Sequence, residues 1–137
     1  MYLIGFPLLV IPFAIYNMIA FLLPGIAWTG TIVSIRLVSG QDWAVTTEDV
    51  LLAFSILLLS VEIMKSTRMS MRAIIDHVLS MMLFIVMLVE FLLVKPCGTS
   101  TFFLLMVISL VDVMVGFIVT IRTAQRDLQI ERVEPVA

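Results

Sequence analysis

Five ionisable side chains stand inside or at the ends of apolar sequence. Asp112 lies within the run 102–121, Glu90 late in the run 73–94, Asp76 and His77 near its start, and Glu62 near the end of the run 50–64. Strung across a bilayer, carboxyl and imidazole groups are the chemistry of proton and cation relays. A carboxylate at the bilayer centre costs at least about 2.5–3.5 kcal/mol on insertion scales. It is tolerated there when protonated, paired or turned toward protein. Asp76 and His77 are adjacent on a helix, where neighbouring side chains diverge, so they make a poor chelating pair and no metal site is expected. The chain has no G-x-S-x-G, H-E-x-x-H, C-x-x-C or phosphate-cradling glycine loop. His77 and Cys97 are the only histidine and cysteine, and their places in the sequence put them at opposite ends of a span. No catalytic residue, cofactor or enzyme activity is expected.

The elements that carry these groups are spans. A helix needs about 20 apolar residues to cross a bilayer core. Four stretches approach this: 3–23, 50–64, 73–94 and 101–121. The first should be kinked by Pro7 and Pro12 and ended by Pro24 and Gly25. In the fourth, Ser109, Asp112, Gly116 and Thr120 fall within about a third of the helix circumference. In the third, Asp76, Ser80, Leu83, Met87 and Glu90 share a side, flanked by His77, with Glu90 about 9 Å outward of the midpoint. In the second, Ser55 and Glu62 share a face. Small and polar stripes of this kind let helices approach and hydrogen-bond, which predicts a bundle with the three faces turned inward. Two readings compete. In one, the stripes are packing contacts and Asp112 is protonated, bonded to Ser80 or Ser109, or bonded to a partner subunit. In the other, Glu62, Asp76, His77, Asp112 and Glu90 form a ladder for ions. Glu62 is expected near the headgroups.

Composition supports lipid as the solvent. The 137 residues are 62% hydrophobic and 13% charged, with a mean hydropathy of +1.21, against about 45–50% and about 25% in soluble domains. A formal charge of −2, with no basic stripe outside the spans, excludes a nucleic-acid partner as the expectation. Cys97 alone allows no intrachain disulfide. The ten methionines read as flexible packing residues. The first residues lead straight into apolar sequence without a basic region or cleavage site, so the first span is expected to be retained.

Between the first two spans, 31–38 and 43–46 have β-type composition around the turn residues Ser39–Asp42. A hairpin over 31–46 is expected, at or outside the membrane surface, because an open sheet edge is not tolerated in hydrocarbon. A first helix running on to Leu37 is the alternative. Trp28 and Trp43 suit the interface. Thr47 is the expected cap of the second span, with Glu48 and Asp49 at its positive end, and Thr99 or Ser100 the cap of the fourth. Lys65, Arg68, Arg72, Arg122, Arg126 and Arg132 stand on one side and Arg36 and Lys95 on the other. This bias predicts both termini and the 65–72 loop in the cytoplasm, with 122–137 a cytoplasmic tail.

The segments "LVSGQDWAVTTEDVLLAFSILLLSVEIMKSTR", "IIDHVLSMMLFIVMLVEFLLV" and "TSTFFLLMVISLVDVMVGFIVTIRTAQRD" resemble a group of uncharacterised small inner-membrane proteins of proteobacteria. The resemblance covers about 31–127. It implies a four-helix subunit of a bacterial inner membrane and transfers no activity or catalytic residue. Small multidrug exporters also have four short spans, but their membrane glutamate lies in the first span, which is uncharged in this chain. The expected architecture is an all-α membrane protein in one domain, a four-helix bundle with a small extracytoplasmic hairpin. The expected role is a non-catalytic accessory or assembly subunit contacting lipid and other subunits or itself. The alternative is a small oligomeric ion- or proton-coupled transporter or channel.

Overall fold

The computed structural model describes residues 6–66 and 71–133, apart from the side chains at 66, 71–73, 123, 127 and 130–133. Helix α1 runs Val10–Leu22, strands β1 Thr31–Arg36 and β2 Asp42–Thr46 form an antiparallel pair, and helices α2 Thr47–Ser66, α3 Met71–Leu93 and α4 Ser100–Val133 follow. A 3-10 turn at Lys95–Cys97 joins α3 to α4.

Local chemistry explains the boundaries. Pro7 stands ahead of α1, and Pro12 sits in its first turn, where a missing N–H leaves no bond unmade. The two prolines therefore delay the helix instead of kinking it. At 13 residues and about 1.5 Å per residue, α1 is roughly 20 Å long, short of the about 30 Å of a bilayer core. The hairpin closes over Leu37–Gln41, with Leu37 N–H on Gln41 C=O at 2.8 Å and Gly40 N–H on Leu37 C=O at 2.9 Å. Gly40 has φ 90°, the left-handed position that a three-residue hairpin loop requires.

The cap of α2 is Thr46, one residue before the expected Thr47. Thr46 Oγ1 accepts Asp49 N–H at 3.2 Å, and Asp49 Oδ2 accepts Thr46 N–H at 3.0 Å. This is a reciprocal capping box with Asp in the third helical position. Thr99 caps α4, accepting Phe102 N–H at 3.2 Å. That helix runs 34 residues, roughly 50 Å, so it continues well past the length of a bilayer core.

Two helical segments, Ile74–Leu93 and Ser100–Arg126, are long and apolar enough to cross a membrane. α1 fails by length. α2 has 20 residues but carries Glu48, Asp49, Glu62 and Lys65. The fold is mostly helical, with four helices and one two-stranded sheet.

α4 is the central element, packed along both α2 and α3, while α2 and α3 meet only briefly. Tyr16, Leu51, Leu83, Met87, Cys97, Phe102, Leu105 and Ile108 make the apolar core. The Tyr16 ring stacks on Trp28 at 4.5 Å and meets the edge of Phe102 at 4.9 Å. Outside this layer the usual order is inverted. Ser55, Glu62, Asp76, Ser80, Ser109 and Asp112 are buried, while Ile75, Met82, Leu92, Phe103, Met114 and Ile118 are exposed. Only 22% of the α3 segment is covered by the rest of the chain, against 44% of the α4 segment. Apolar outer faces around a polar interior are the pattern of helices that meet lipid.

Candidate functional site: two interior polar clusters

The ionisable groups fall into two clusters. The first joins the last turns of α2, the first turns of α3 and the middle of α4. Lys65 Nζ lies 3.1 Å from Glu62 Oε1 and 3.4 Å from Asp76 Oδ2. The ammonium also donates to Phe6 C=O at 2.9 Å, and Glu62 Oε1 accepts Leu8 N–H at 2.6 Å. The start of α1 is thereby held on α2. Asp112 faces this group from α4 and takes a hydrogen bond from the Ser80 hydroxyl. Asp76 Oδ1 is buried and without a hydrogen-bond partner.

His77 lies beside Asp76 but turns toward α4. Its ring meets Phe117 edge-on at 4.8 Å, and both ring nitrogens are buried without partners. Gly116 is packed directly against the imidazole. Ser109 is buried and Thr120 partly so. Ser55 is buried but bonds its own helix, donating to Leu51 C=O at 2.7 Å. It fills space in the interface without bridging it.

The second cluster lies at the other end of α3. Cys97 Sγ donates to Glu90 Oε1 at 3.1 Å and reaches Asn17 Oδ1 at 4.0 Å. Tyr16 OH contacts Pro96 C=O at 3.0 Å and Thr99 Oγ1 at 2.7 Å. Burial, reinforced by the Glu90 carboxylate, pushes the Cys97 thiol up to about 12. That thiol is neutral and shielded, the opposite of an activated nucleophile.

The five groups therefore do not form one ladder. Between Ser80 and Glu90, α3 turns the buried side chains Leu83 and Met87 inward, and α4 adds Leu105 and Ile108. Ten residues of helix, roughly 15 Å, separate the two polar levels. Glu62 is buried among protein groups. Lys65 is turned into the bundle, so its charge is partly neutralised by internal carboxylates. Among the remaining topology residues, Arg122 and Arg126 are exposed on α4. Arg68 and the side chain of Arg72 lie outside the described residues. Among the described residues, no group of three or more His, Cys, Asp and Glu side chains could hold a metal.

Sequence reasoning passed over Tyr16, Asn17 and Thr99 as site residues. Their signal was the pair Tyr16–Asn17, two polar side chains in an otherwise apolar run. The Phe6 and Leu8 contacts run through backbone groups and leave no such trace.

No family model, curated protein or solved structure matches the chain.

Proposed function

We propose that the chain is a non-catalytic accessory or assembly subunit of a bacterial inner-membrane complex. It would cross the membrane four times with both termini in the cytoplasm. The short α1 and charged α2 would complete the bundle beside α3 and α4. Its partners would be lipid and other membrane subunits or a second copy.

One observation carries this reading. The hairpin is exposed along the whole of β1, with Ile32, Val33, Ile35 and Trp43 open to the outside and Val38 at its tip. It is nevertheless held firmly at its base: Thr47 N–H bonds Gly30 C=O at 3.2 Å, and Glu48 N–H bonds Trp28 C=O at 3.0 Å. Two strands form the entire sheet, so each has an outer edge with unpaired backbone groups. A rigidly mounted apolar hairpin with open edges suits strand addition by a partner.

The test is native mass spectrometry of the protein purified from its own membranes in mild detergent, with and without the loop Ser39–Asp42. A hetero-complex lost on loop deletion supports the subunit reading. A homo-oligomer indifferent to the deletion overturns it.

The buried carboxylates Glu62, Asp76 and Asp112, with the half-buried Lys65 beside them, favour a second reading, a small oligomeric ion- or proton-coupled transporter. The apolar layer between this set and Glu90 requires such a pathway to be completed by neighbouring copies. Asp112→Asn in liposomes separates the two readings, because a transporter loses flux and a subunit keeps its assembly.

A further inference from the structure

We propose that one face of the hairpin rests on lipid: Val33, Ile35, Trp43 and Val45 lie in the headgroup–acyl boundary of the membrane, while the opposite face and both strand edges stay in water. This placement rests on the reading that the chain crosses a membrane. It gives the hairpin face a bilayer surface and leaves the edges free for a partner strand.

The register sorts the side chains. In an antiparallel pair, residues directly opposite one another share a face. Val33 stands opposite Val45 and Ile35 opposite Trp43, whereas Ser34 stands opposite Ala44 and Arg36 opposite Asp42. One face is therefore apolar across both strands, and the other carries the small and charged side chains. The irregularity between Thr31 and Val33 sets this match. Without the extra residue in β1, Ile32 would face Val45 and Ser34 would face Trp43, and both faces would be mixed. The rest of the chain does not cover the sorted face: Val33, Ile35 and Trp43 are 49%, 44% and 47% exposed.

Three features name the occupant. The first is height. Strand β2 passes into α2 with no residue between, Thr46 ending one and Thr47 starting the other, and backbone bonds from Thr47 and Glu48 to Gly30 and Trp28 pin the base. The hairpin thus leaves the bundle at the depth where a spanning helix begins, with no linker to carry it away. The second is continuity. The last turn of α1 and the segment after it expose Phe21, Leu22, Leu23 and Ile26, so apolar surface runs along the chain from α1 into the hairpin. The third is chemistry. The face offers one polar side-chain group, the Trp43 indole N–H, where a protein interface usually carries about one hydrogen bond per 100–200 Å². An aromatic ring with one wet side is the side chain of the headgroup level. Arg36, Asp42 and the unpaired edge groups are then left to water, because hydrocarbon does not tolerate them.

The test is tryptophan fluorescence of the full chain in nanodiscs of phosphatidylcholine, plain or brominated on its acyl chains. Trp28→Phe keeps a ring against Tyr16 and leaves Trp43 the one tryptophan. Its emission should lose most of its intensity in the brominated lipid and little to acrylamide in the water, as for a side chain sunk about 5–10 Å into the boundary. Moving the indole by one residue to the other face, with Ala44→Trp added to Trp28→Phe and Trp43→Phe, should reverse both results. Subtracting the emission of Trp43→Phe from that of the parent gives the same reading with Trp28 kept. Ile85→Trp in the background without Trp28 and Trp43 reports on the exposed side of α3. Where Ile85→Trp is quenched by bromine, a Trp43 open to acrylamide, or shielded from both quenchers, overturns the lipid placement and leaves the membrane reading standing. The shielded case puts a second copy or a partner protein on the face. If Ile85→Trp also escapes bromine, the membrane reading and the lipid placement fall together.

Discussion

Gly116 and His77 touch so closely that no side chain fits between them. A Cβ placed on Gly116 would overlap the imidazole at Nδ1. The α3–α4 approach is set at this point by a ring on one helix and bare backbone on the other, the arrangement that small residues permit between apolar helices. Gly116→Ala should destabilise the fold by about 1–3 kcal/mol through overpacking. Adding His77→Ala should restore part of the loss, because the two positions share one space and their effects are not additive. Unfolding by denaturing detergent, followed by circular dichroism, measures both. Strict additivity would mean that the helices contact elsewhere.

Tyr16 ties α1 to the α3–α4 turn through its hydroxyl, while its ring packs between Trp28 and Phe102. Tyr16→Phe keeps the ring and leaves Pro96 C=O and Thr99 Oγ1 without this partner. The expected cost is about 1–2 kcal/mol. Tyr16→Ala should cost about 3–5 kcal/mol, since the ring is lost as well. Equal effects of the two substitutions would show that the hydroxyl dominates.

The hairpin and α2 meet with no linker, so their joint depends on the Thr46–Asp49 exchange of bonds. Thr46→Ala should cost about 1 kcal/mol, the ordinary value of an N-cap. Thr47→Ala should stay within about 0.5 kcal/mol. Thermal unfolding in detergent distinguishes them, and the reverse order would move the cap to Thr47.

These residues also mark how far sequence reasoning reaches. Alternation from Ile32 to Val38 and the turn residues around Gly40 place the hairpin, because a strand's period and a left-handed glycine are local properties. The inward faces of Asp112, Ser80 and Glu62 follow from helical periodicity. The cap was misplaced by one residue because Thr46 and Thr47 are chemically alike and only backbone geometry separates them. The length of α1 was overestimated because apolar composition does not say where a proline permits helix to begin. The division of the carboxylates into two clusters depends on which residues α4 brings opposite α3. Lys65 reads in sequence as a basic loop residue that marks the cytoplasmic side, yet a long side chain at a helix end can equally turn inward, and distant residues Phe6 and Asp76 decide that.

Lys65 is the one cation within contact of Glu62 and Asp76 among the described residues, with 15% of its side chain exposed. Lys65→Met keeps the apolar stem and removes the charge. Breaking a buried pair from one side typically costs about 3–5 kcal/mol, because the partner charges remain. The substitution should therefore destabilise far more than an exposed lysine, and adding Glu62→Gln should recover part of the loss. Unfolding in detergent at constant ionic strength is the measurement. A Lys65→Met protein as stable as the parent would show that solvent already screens the set.

Cys97 gives a prediction with a definite sign. Its thiol ordinarily titrates near 9.0, and in the fold it is held up to about 12 by burial and by the Glu90 carboxylate. Between these values the folded protein keeps a proton that the unfolded chain has released. Stability must then fall as pH rises through that window, since the native state binds more protons there. The parent should lose stability relative to Cys97→Ser as pH rises from 9.0 toward about 12, with the comparison cancelling titrations common to both. Alkylation of the folded parent by iodoacetamide should be slow across the same range, because the thiolate is the reactive form. Glu90→Gln removes the adjacent negative charge and the acceptor of the Cys97 bond, so it should lower the thiol's pKa and speed alkylation. Parallel pH profiles for the parent and Cys97→Ser, together with fast labelling, would place the thiol in water and dismantle the second cluster.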